Sequence, residues 1–251
     1  NFLMVVSIIT VCFNSASTIE QTIQSVISQT FRQIQYIIID GGSNDQTLSI
    51  IEKYNSDIDI IISEIDNGIY DAINKGIKHA SGEIIGLLHA DDVFKNKYVI
   101  QKVHDSFNNN VDLIYGDIEY VDKHNLSKVI RKWKSKDYVK GSFKWGWMPA
   151  HTSFFLRKEY YEKFGNYSLS LGTSADYELM LRMFEIHKLK SFYLPEIITS
   201  MRTGGVSNSN LKNRWLANRN DKKSWEVNKL KPYWFTFLLK PLRKVLQYIK
   251  T

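Results

Sequence analysis

The sequence has a single cysteine, four prolines and no long apolar run. The lone Cys12 excludes a disulfide framework and a cysteine-based metal site within one chain, and it favours a reducing, cytosolic setting. The longest apolar stretch near the C-terminus, residues 233–239, is far shorter than the roughly 20 residues of a membrane-spanning helix. Residues 2–11 have no basic leader and no small-residue cleavage site, so we expect a strand there and not a signal peptide.

What the sequence does contain is enough apolar material for a large core. Of its 251 residues, 43% are hydrophobic and 13% aromatic, which predicts one large domain, alone or with an appendage. The net charge of +7 is uneven, because residues 202–251 carry 12 Lys and Arg against 2 Asp and Glu. These basic residues lie among aromatics without a groove-reading motif, so we expect no nucleic-acid partner.

The first ninety residues alternate between apolar runs and helical patterns. Four runs rich in Ile or Val are separated by helical patterns of roughly 10–15 residues; they are residues 5–11, 34–39, 58–62 and 83–88. This alternation predicts an α/β fold with a parallel sheet that is covered on both faces. Capping-box patterns at residues 17–20 and 43–46 predict two helix starts. Ligands of such sheets bind at the carboxyl ends of the strands, so residues 10–14, 40–45, 63–68 and 89–92 should meet on one rim.

The remainder of the chain is less regular. Strand patterns at residues 111–120, 127–133 and 153–156 indicate a mixed extension of the sheet, and residues 175–187 have helical periodicity. From residue 211 onward we expect two helices separated near Lys231 and Pro232. The predicted organisation is a catalytic domain over residues 1–210, divided at residue 92 into a nucleotide-binding half and an acceptor-binding half (93–210), followed by a basic, aromatic helical tail (211–251).

Carboxylates follow two of the predicted strands. Asp40 ends one strand, and Asp91 and Asp92 follow another. Buried carboxylates at a sheet rim are costly unless they bind a ligand or a cation. A divalent ion between them and a nucleoside diphosphate would remove the charge repulsion, and carboxylate with phosphate oxygen suits Mg²⁺ or Mn²⁺. The alternative for Asp91 and Asp92 is that they cap a helix that begins near Val93.

Four segments, in order, resemble glycosyltransferase family 2, the inverting enzymes of GT-A fold. They are residues 7–14, 40–45, 66–76 and 80–92, and the resemblance extends over roughly residues 5–205. It implies a Rossmann-like, mostly parallel central sheet flanked by helices. It also implies transfer of a hexose or N-acetylhexosamine from a nucleoside diphosphate, as in bacterial polysaccharide and O-antigen assembly.

The resemblance also implies a donor site and a metal site. Donor nucleotide contacts are expected from Thr10, Phe13, Asn14, Asp40, Gly42, Asp66, Lys75 and Asp91. Asp92, with Asp91, should hold Mn²⁺ or Mg²⁺. Asp40 can accept a hydrogen bond from the uracil imide, and Lys75 either meets a phosphate or is solvated. His89 stands where relatives often have Asn or Asp, so it either tunes the site or is a buried, hydrogen-bonded histidine.

The acceptor side is expected later in the chain. Asp176 opens a predicted helix and matches the family's general base, which takes the proton of a weakly acidic acceptor hydroxyl. Glu178 is the competing base, and a plain acidic first turn is the structural alternative. His151 matches a family position that contacts diphosphate or acceptor, although a structural histidine is the alternative. Arg202 begins a lid-like segment, residues 202–207, and could clamp phosphate.

The tail and the partners complete the expectations. Basic residues of the tail are interleaved with aromatics, a pattern typical either of a helix on an anionic bilayer or of packing against the catalytic domain; these aromatics are Trp215, Trp225, Tyr233, Trp234, Phe235, Phe237 and Tyr248. The resemblance favours UDP, a lipid-linked glycan acceptor and a place in the bacterial cytoplasm, either free or at the inner face of the cytoplasmic membrane. A non-catalytic nucleotide- or sugar-binding module on this fold is the rival class; a dinucleotide oxidoreductase is excluded, since residues 12–15 lack its glycine pattern. The transferred sugar, the linkage and the oligomeric state are not predicted.

Overall fold

The protein is a mixed α/β molecule built on one central sheet. The structure, a computed structural model, describes residues 4–108, 110–204 and 211–246, with side chains of the last stretch from 218 to 243. The strands are β1 Val6–Cys12, β2 Ile34–Asp40, β3 Ile60–Ser63, β4 Ile84–Leu87, β5 Asp92–Phe94, β6 Leu113–Val121, β7 Val129–Trp133, β8 Phe154–Arg157 and β9 Ser191–Arg202. The helices are α1 Ile19–Ile27, α2 Thr47–Glu52, α3 Ile69–His79, α4 Val99–Ser106, α5 Lys158–Phe164, α6 Ala175–Leu181, α7 Leu211–Val227 and α8 Thr236–Leu246.

The first four strands along the chain form a parallel part of the sheet. Strand order over the described residues is β3-β2-β1-β4-β8-β6-β9-β5, and β7 pairs with β6. Strands β3, β2, β1 and β4 are parallel to one another, whereas β8 is antiparallel to both β4 and β6. In register, Cys12 lies opposite Asp40 and Asp40 opposite Ser63, so three strands end at one level. The predicted fold class is confirmed.

Side-chain alternation along the strands divides the core into two layers. Ile9 and Ile37 face the layer that contains α3 and α6, while Ile8 and Ile38 face the layer that contains α1 and α4. Because both faces are covered, the strands are continuous apolar runs rich in β-branched residues. The same alternation decides which polar residue at a strand end points into the core.

The predicted capping boxes are wrong, although the helices are present. The N-cap residues, Thr18 of α1 and Gln46 of α2, make no side-chain cap hydrogen bond. Ser43 instead donates its hydroxyl to Asp40, and Asp45 accepts the backbone N–H of Thr47 at 2.9 Å. A pattern of residue types could not distinguish these partners, because Asp40 and Asp45 offer competing carboxylate acceptors within a few residues of the predicted caps.

The tail contains the two predicted helices, and part of it packs against the residues that precede it. Trp225 of α7 is 1% exposed, and its indole N–H donates to the Tyr177 hydroxyl at 2.9 Å. Lys240 of α8 pairs with Asp221 at 2.6 Å and lies 3.9 Å from the Tyr177 ring centre. None of the described helices is long and apolar enough to cross a bilayer. The side chain of Trp215 and the whole of Tyr248 lie outside the described residues.

The buried indole of Trp225 yields a stability prediction. Trp225→Phe should lower the free energy of unfolding by about 1–3 kcal/mol, because it removes packed volume and leaves the Tyr177 hydroxyl without its donor. Trp234→Phe is the matched control, since Trp234 is 85% exposed. Urea unfolding of both variants measures the difference, and equal stability would show that α7 does not contribute to the core.

Candidate active site

The loops that follow β1 and β2 are joined at the rim of the sheet. Asn14 has a φ of 49°, its backbone N–H donates to the Ser43 hydroxyl at 2.8 Å, and its side-chain oxygen accepts the Asn44 N–H at 3.0 Å. Asn tolerates this left-handed conformation better than most residues. Next to it, the Phe13 ring is 60% exposed. The rim thus presents a fixed turn with a free aromatic face.

Asp40 stabilises this turn through hydrogen bonds from the buried side. Its side chain is fully buried and accepts hydrogen bonds from the Ser43 N–H at 3.0 Å and the Ser63 hydroxyl at 2.7 Å. Cys12 lies 3.6 Å from the same carboxylate, and burial together with the Asp40 charge raises the pKa of the thiol. The expected contact between Asp40 and uracil is therefore corrected, because the carboxylate is turned inward and its partners are serines.

A second carboxylate lies over the Asp40 turn. A Cβ on Gly41 would be 2.4 Å from Oδ2 of Asp66, so only glycine allows this approach. The other oxygen, Oδ1, accepts the Gly68 N–H at 2.7 Å. Gly42 has a φ of 79° and lies close to Ile65. Asp66 is thus a partly exposed carboxylate that lies against the turn after β2.

Two further residues expected to bind the donor have structural roles. Thr10 is fully buried on the same strand face as Ile8, and its hydroxyl is 3.2 Å from that of Tyr36. Lys75 pairs with Glu64 at 2.9 Å, which raises the pKa of the lysine. The expected donor contact of Thr10 is corrected, because side-chain alternation turns Thr10 into the core. The donor contact of Lys75 stays a prediction, since its side chain is 23% exposed.

Asp92 is an unpartnered buried carboxylate. It is the first residue of β5, and both of its carboxylate oxygens are buried with no hydrogen-bond partner among the described residues. Burial, followed by the charge of Asp91, raises its pKa well above the ordinary value. Because such a group is costly, the site suits a cation ligand. The alternative of a helix cap is wrong, because a strand begins there.

Arg202 contacts the loop between β4 and β5, residues 88–91. It is the last residue of β9, and its guanidinium donates to the Asp91 carbonyl and to the Gln21 side chain. It is buried, and that burial lowers its pKa although Asp92 and Asp91 act in the opposite direction. The expected lid position of Arg202 is corrected, because the residue is fixed in the sheet; residues 205–207 lie outside the described part. Among the described residues, no three His, Cys, Asp or Glu side chains form a metal cluster.

Two histidines connect the loop between β4 and β5 with Asp176, the predicted base. The rings of His89 and His151 are 5.5 Å apart, and Nδ1 of His151 is 3.5 Å from Oδ2 of Asp176. Burial, with a contribution from His151, lowers the pKa of His89 to about 3, so its ring is neutral at neutral pH. The sequence placed His151 on the acceptor side but did not predict this line of three side chains.

The segment after β3 also reaches the predicted base. Burial, followed by the neighbouring charge of Asp176, raises the pKa of Tyr70 well above its ordinary value. Tyr70 belongs to α3, which begins just after Asp66. The donor-side turn and the base are therefore connected through one helix.

Glu178 is not open to an acceptor. Its buried carboxylate accepts hydrogen bonds from Arg182 at 2.9 Å and from the Asn228 amide at 3.0 Å. Its expected acceptor contact is corrected, because the α6 helix turns Glu178 toward α7, whereas Asp176 lies beside His151 and Tyr70.

Comparison with known proteins identifies the family of the chain. A family model described as glycosyl transferase family 2 matches residues 7–165. The chain belongs to this family. The chain is 29% identical over 186 residues to the uncharacterized glycosyltransferase Rv1514c of Mycobacterium tuberculosis, covering 70% of this chain and 68% of the relative. It is 30% identical over 122 residues to the Escherichia coli UDP-Glc:alpha-D-GlcNAc-diphosphoundecaprenol beta-1,3-glucosyltransferase WfgD, covering 48% of each chain.

Solved structures share the fold of this glycosyltransferase. Residues 1–349 of Staphylococcus aureus TarS in complex with UDP superpose with a TM-score of 0.66 at 16% identity, over 89% of this chain and 72% of that one. The mannosyltransferase PcManGT of Pyrobaculum calidifontis, in complex with GDP-Man and Mn²⁺, gives a TM-score of 0.66 at 15% identity, over 99% and 70%. With the named relatives, the family match supports an enzyme over a non-catalytic binding module.

Proposed function

We propose that this glycosyltransferase moves a hexose or N-acetylhexosamine from a UDP-sugar to a glycan hydroxyl with inversion, assisted by Mn²⁺ or Mg²⁺. The observation that carries the proposal is the buried Asp92 carboxylate, whose oxygens have no partner among the described residues. The loop that presents it also contains His89, from which the side-chain line leads through His151 to Asp176.

The nucleotide base would bind at the turn after β2. The exposed Phe13 ring offers a stacking face, and Gly42 allows a flat base to approach the backbone. Asp66 replaces Asp40 as the proposed acceptor for the uracil imide, since it is partly exposed and its Oδ2 lies beside Gly41, whereas Asp40 is fully buried. Asn14 contributes by fixing the Ser43 turn. Uracil is further supported by TarS, which was solved with UDP.

Asp92 and Asp91 would hold the metal ion. A divalent cation bound there supplies positive charge that offsets the developing charge of the diphosphate. Since the described residues form no complete protein cluster, donor phosphate oxygens would supply the remaining ligands. The Mn²⁺ in PcManGT supports this choice.

Asp176 would act as the general base. An acceptor hydroxyl is a poor nucleophile, so a carboxylate within hydrogen-bond reach takes its proton as the new C–O bond forms. His151 orients the carboxylate through its Nδ1, and Tyr70 packs against the same group. Attack on the opposite side from the leaving diphosphate in a single displacement inverts the anomeric centre.

The proposed acceptor is a glycan on a lipid diphosphate, in polysaccharide or O-antigen assembly at the cytoplasmic face of a bacterial membrane. WfgD, by its name, acts on a sugar linked to diphosphoundecaprenol. Polysaccharide ends are the alternative acceptor with the same hydroxyl chemistry.

Thermal unfolding with a panel of nucleotide sugars tests the donor proposal. A ligand present at 100 times its dissociation constant stabilises the fold by about 2.7 kcal/mol, which corresponds to roughly 5–10 °C in a protein of this size. UDP-sugars with Mn²⁺ should give this increase, and GDP- and dTDP-sugars should not. An increase with none of the nucleotides would overturn the proposed function.

Asp66→Asn should change the choice of base. Loss of a charged acceptor weakens UDP binding by about 10- to 100-fold, while the new amide can donate to N3 of cytosine and so favours CDP relative to wild type. Calorimetric titration with UDP and CDP measures the ratio. Glu64→Gln is the control, because Glu64 lies two residues away, is exposed and pairs with Lys75. An unchanged ratio in Asp66→Asn would remove Asp66 from base recognition.

A further inference from the structure

An exposed apolar patch lies where the tail meets the catalytic domain. We call it the outer patch and define it by five residues whose side chains are exposed: Trp145 at 53%, Tyr233 at 43%, Trp234 at 85%, Leu238 at 58% and Leu242 at 57%. Phe235 holds the aromatic members together, with ring distances of 5.4 Å to Trp145, 5.2 Å to Tyr233 and 5.5 Å to Trp234. Leu238 and Leu242 are four residues apart, so they lie on one side of α8, and Trp234 precedes the first residue of that helix by two positions.

The inner side of α8 is fixed to the protein. The Thr236 hydroxyl donates to the Lys144 carbonyl at 2.6 Å, and the Arg243 guanidinium donates to the Trp145 carbonyl at 2.8 Å. A Cβ on Gly146 would be 2.6 Å from the Lys240 backbone nitrogen, so the two backbones approach closely. The outer patch is therefore a preformed surface, and binding to it requires no ordering of α8.

Basic side chains border the outer patch. Residues 218–243, which supply four of its five members, contain seven Lys and Arg against Asp221 and Glu226, and Asp221 is paired with Lys240. Lys144 lies 5.2 Å from the Tyr233 ring centre, and Lys231 is exposed next to the patch sequence. Exposed Trp, Tyr and Leu side chains bordered by basic residues match the boundary between headgroups and acyl chains of an anionic bilayer.

A second copy of the chain fits this surface less well. In a two-fold dimer the same patch faces itself, so the positive charges would oppose each other. An anionic lipid surface instead attracts each basic residue that lies near the membrane.

We propose that the outer patch docks on the surface of an anionic phospholipid bilayer, with Trp234, Leu238 and Leu242 entering the interfacial region. The docking is peripheral and leaves the active site in water. It goes beyond the proposed transfer reaction and does not depend on it, because it is measured without nucleotide or metal.

Co-sedimentation of the full chain with vesicles tests this inference. Wild type should bind vesicles of phosphatidylglycerol mixed with phosphatidylcholine. Binding to phosphatidylcholine alone should be weaker by about tenfold or more. Trp234→Ser combined with Leu238→Ser should weaken binding to the mixed vesicles by at least about tenfold. Tyr98→Ser is the matched control, because Tyr98 is a half-exposed aromatic beside Lys97 at the start of α4 and should have no effect.

A second variant keeps the test independent of folding. Lys231→Glu replaces an exposed side chain, so it should leave the unfolding temperature unchanged and weaken binding to anionic vesicles only. Failure of wild type to bind mixed vesicles would overturn the inference, as would unchanged binding by both variants. Light scattering that shows a wild-type dimer, lost in Trp234→Ser/Leu238→Ser, with no vesicle binding, would assign the patch to a second copy instead.

Discussion

Asp176→Asn is expected to lower the turnover number by about 10²- to 10⁴-fold while donor affinity stays within a factor of two or so of wild type. The amide keeps the size of the side chain and its place beside His151, but it cannot take a proton from the acceptor. Steady-state transfer from a UDP-sugar, with donor affinity measured separately by calorimetry, separates these two quantities. Near-normal turnover would assign the base to another residue.

Glu178→Gln is the matched control for this experiment. Because Glu178 binds Arg182 and Asn228 in a buried position, its amide variant should lose stability and keep the turnover of the folded fraction. Removing one partner of a buried ion pair costs about 3–5 kcal/mol. The opposite outcome, a stable but inactive Glu178→Gln, would exchange the roles of the two carboxylates.

Asp92→Asn is expected to abolish the Mn²⁺-dependent part of donor binding. A neutral amide is a poor ligand for a divalent cation, so UDP affinity should become the same with Mn²⁺ and with chelator. Asp91→Asn provides the comparison, since Asp91 is the partly exposed neighbour with the same charge. UDP affinity that still rises with Mn²⁺ in Asp92→Asn would contradict the metal assignment.

The same Asp92→Asn variant should be more stable than wild type without metal, and increasingly so as the pH rises. Burial raises the pKa of Asp92 in the folded state above the unfolded value of 3.8. The folded protein then binds more protons, and the stability that this carboxyl contributes is lost as the pH rises through the folded pKa. Each pKa unit corresponds to about 1.4 kcal/mol. Thermal unfolding between pH 4 and neutral pH, in chelator, checks the widening difference.

The positions of strand ends were predictable from the sequence, because apolar runs of strand length are a local property. Asp92 follows a predicted strand and Asp176 opens a predicted helix, but their roles were expected from the family resemblance. The structure places His89 and His151 between their two segments. β9 was not predicted. Its pairing with β6 is interrupted by register shifts near Asp117, and its sequence includes Pro195 and Glu196, so no apolar run marks it.

The direction of individual side chains was less predictable than their place in the chain. Thr10 and Asp40 lie at the rim, but the two-residue period of their strands turns both inward. Their partners Tyr36, Ser43 and Ser63 come from other strands and turns, and sequence spacing does not reveal such pairs. The approach of Asp66 to Gly41 is likewise a distance between two loops.

The contact between α6 and α7 gives the base-bearing helix a neighbour from the end of the chain. Tyr177 and Glu178 immediately follow Asp176, and they bind Trp225 and Asn228 respectively. Replacing α7 and α8 by the final helices of another enzyme would thus remove the contacts that support α6 beside the proposed acceptor site, although Asp92 and Asp176 would be kept. The charge pattern alone favours residue 210 as a boundary for such an exchange, but the helices on its two sides are packed together.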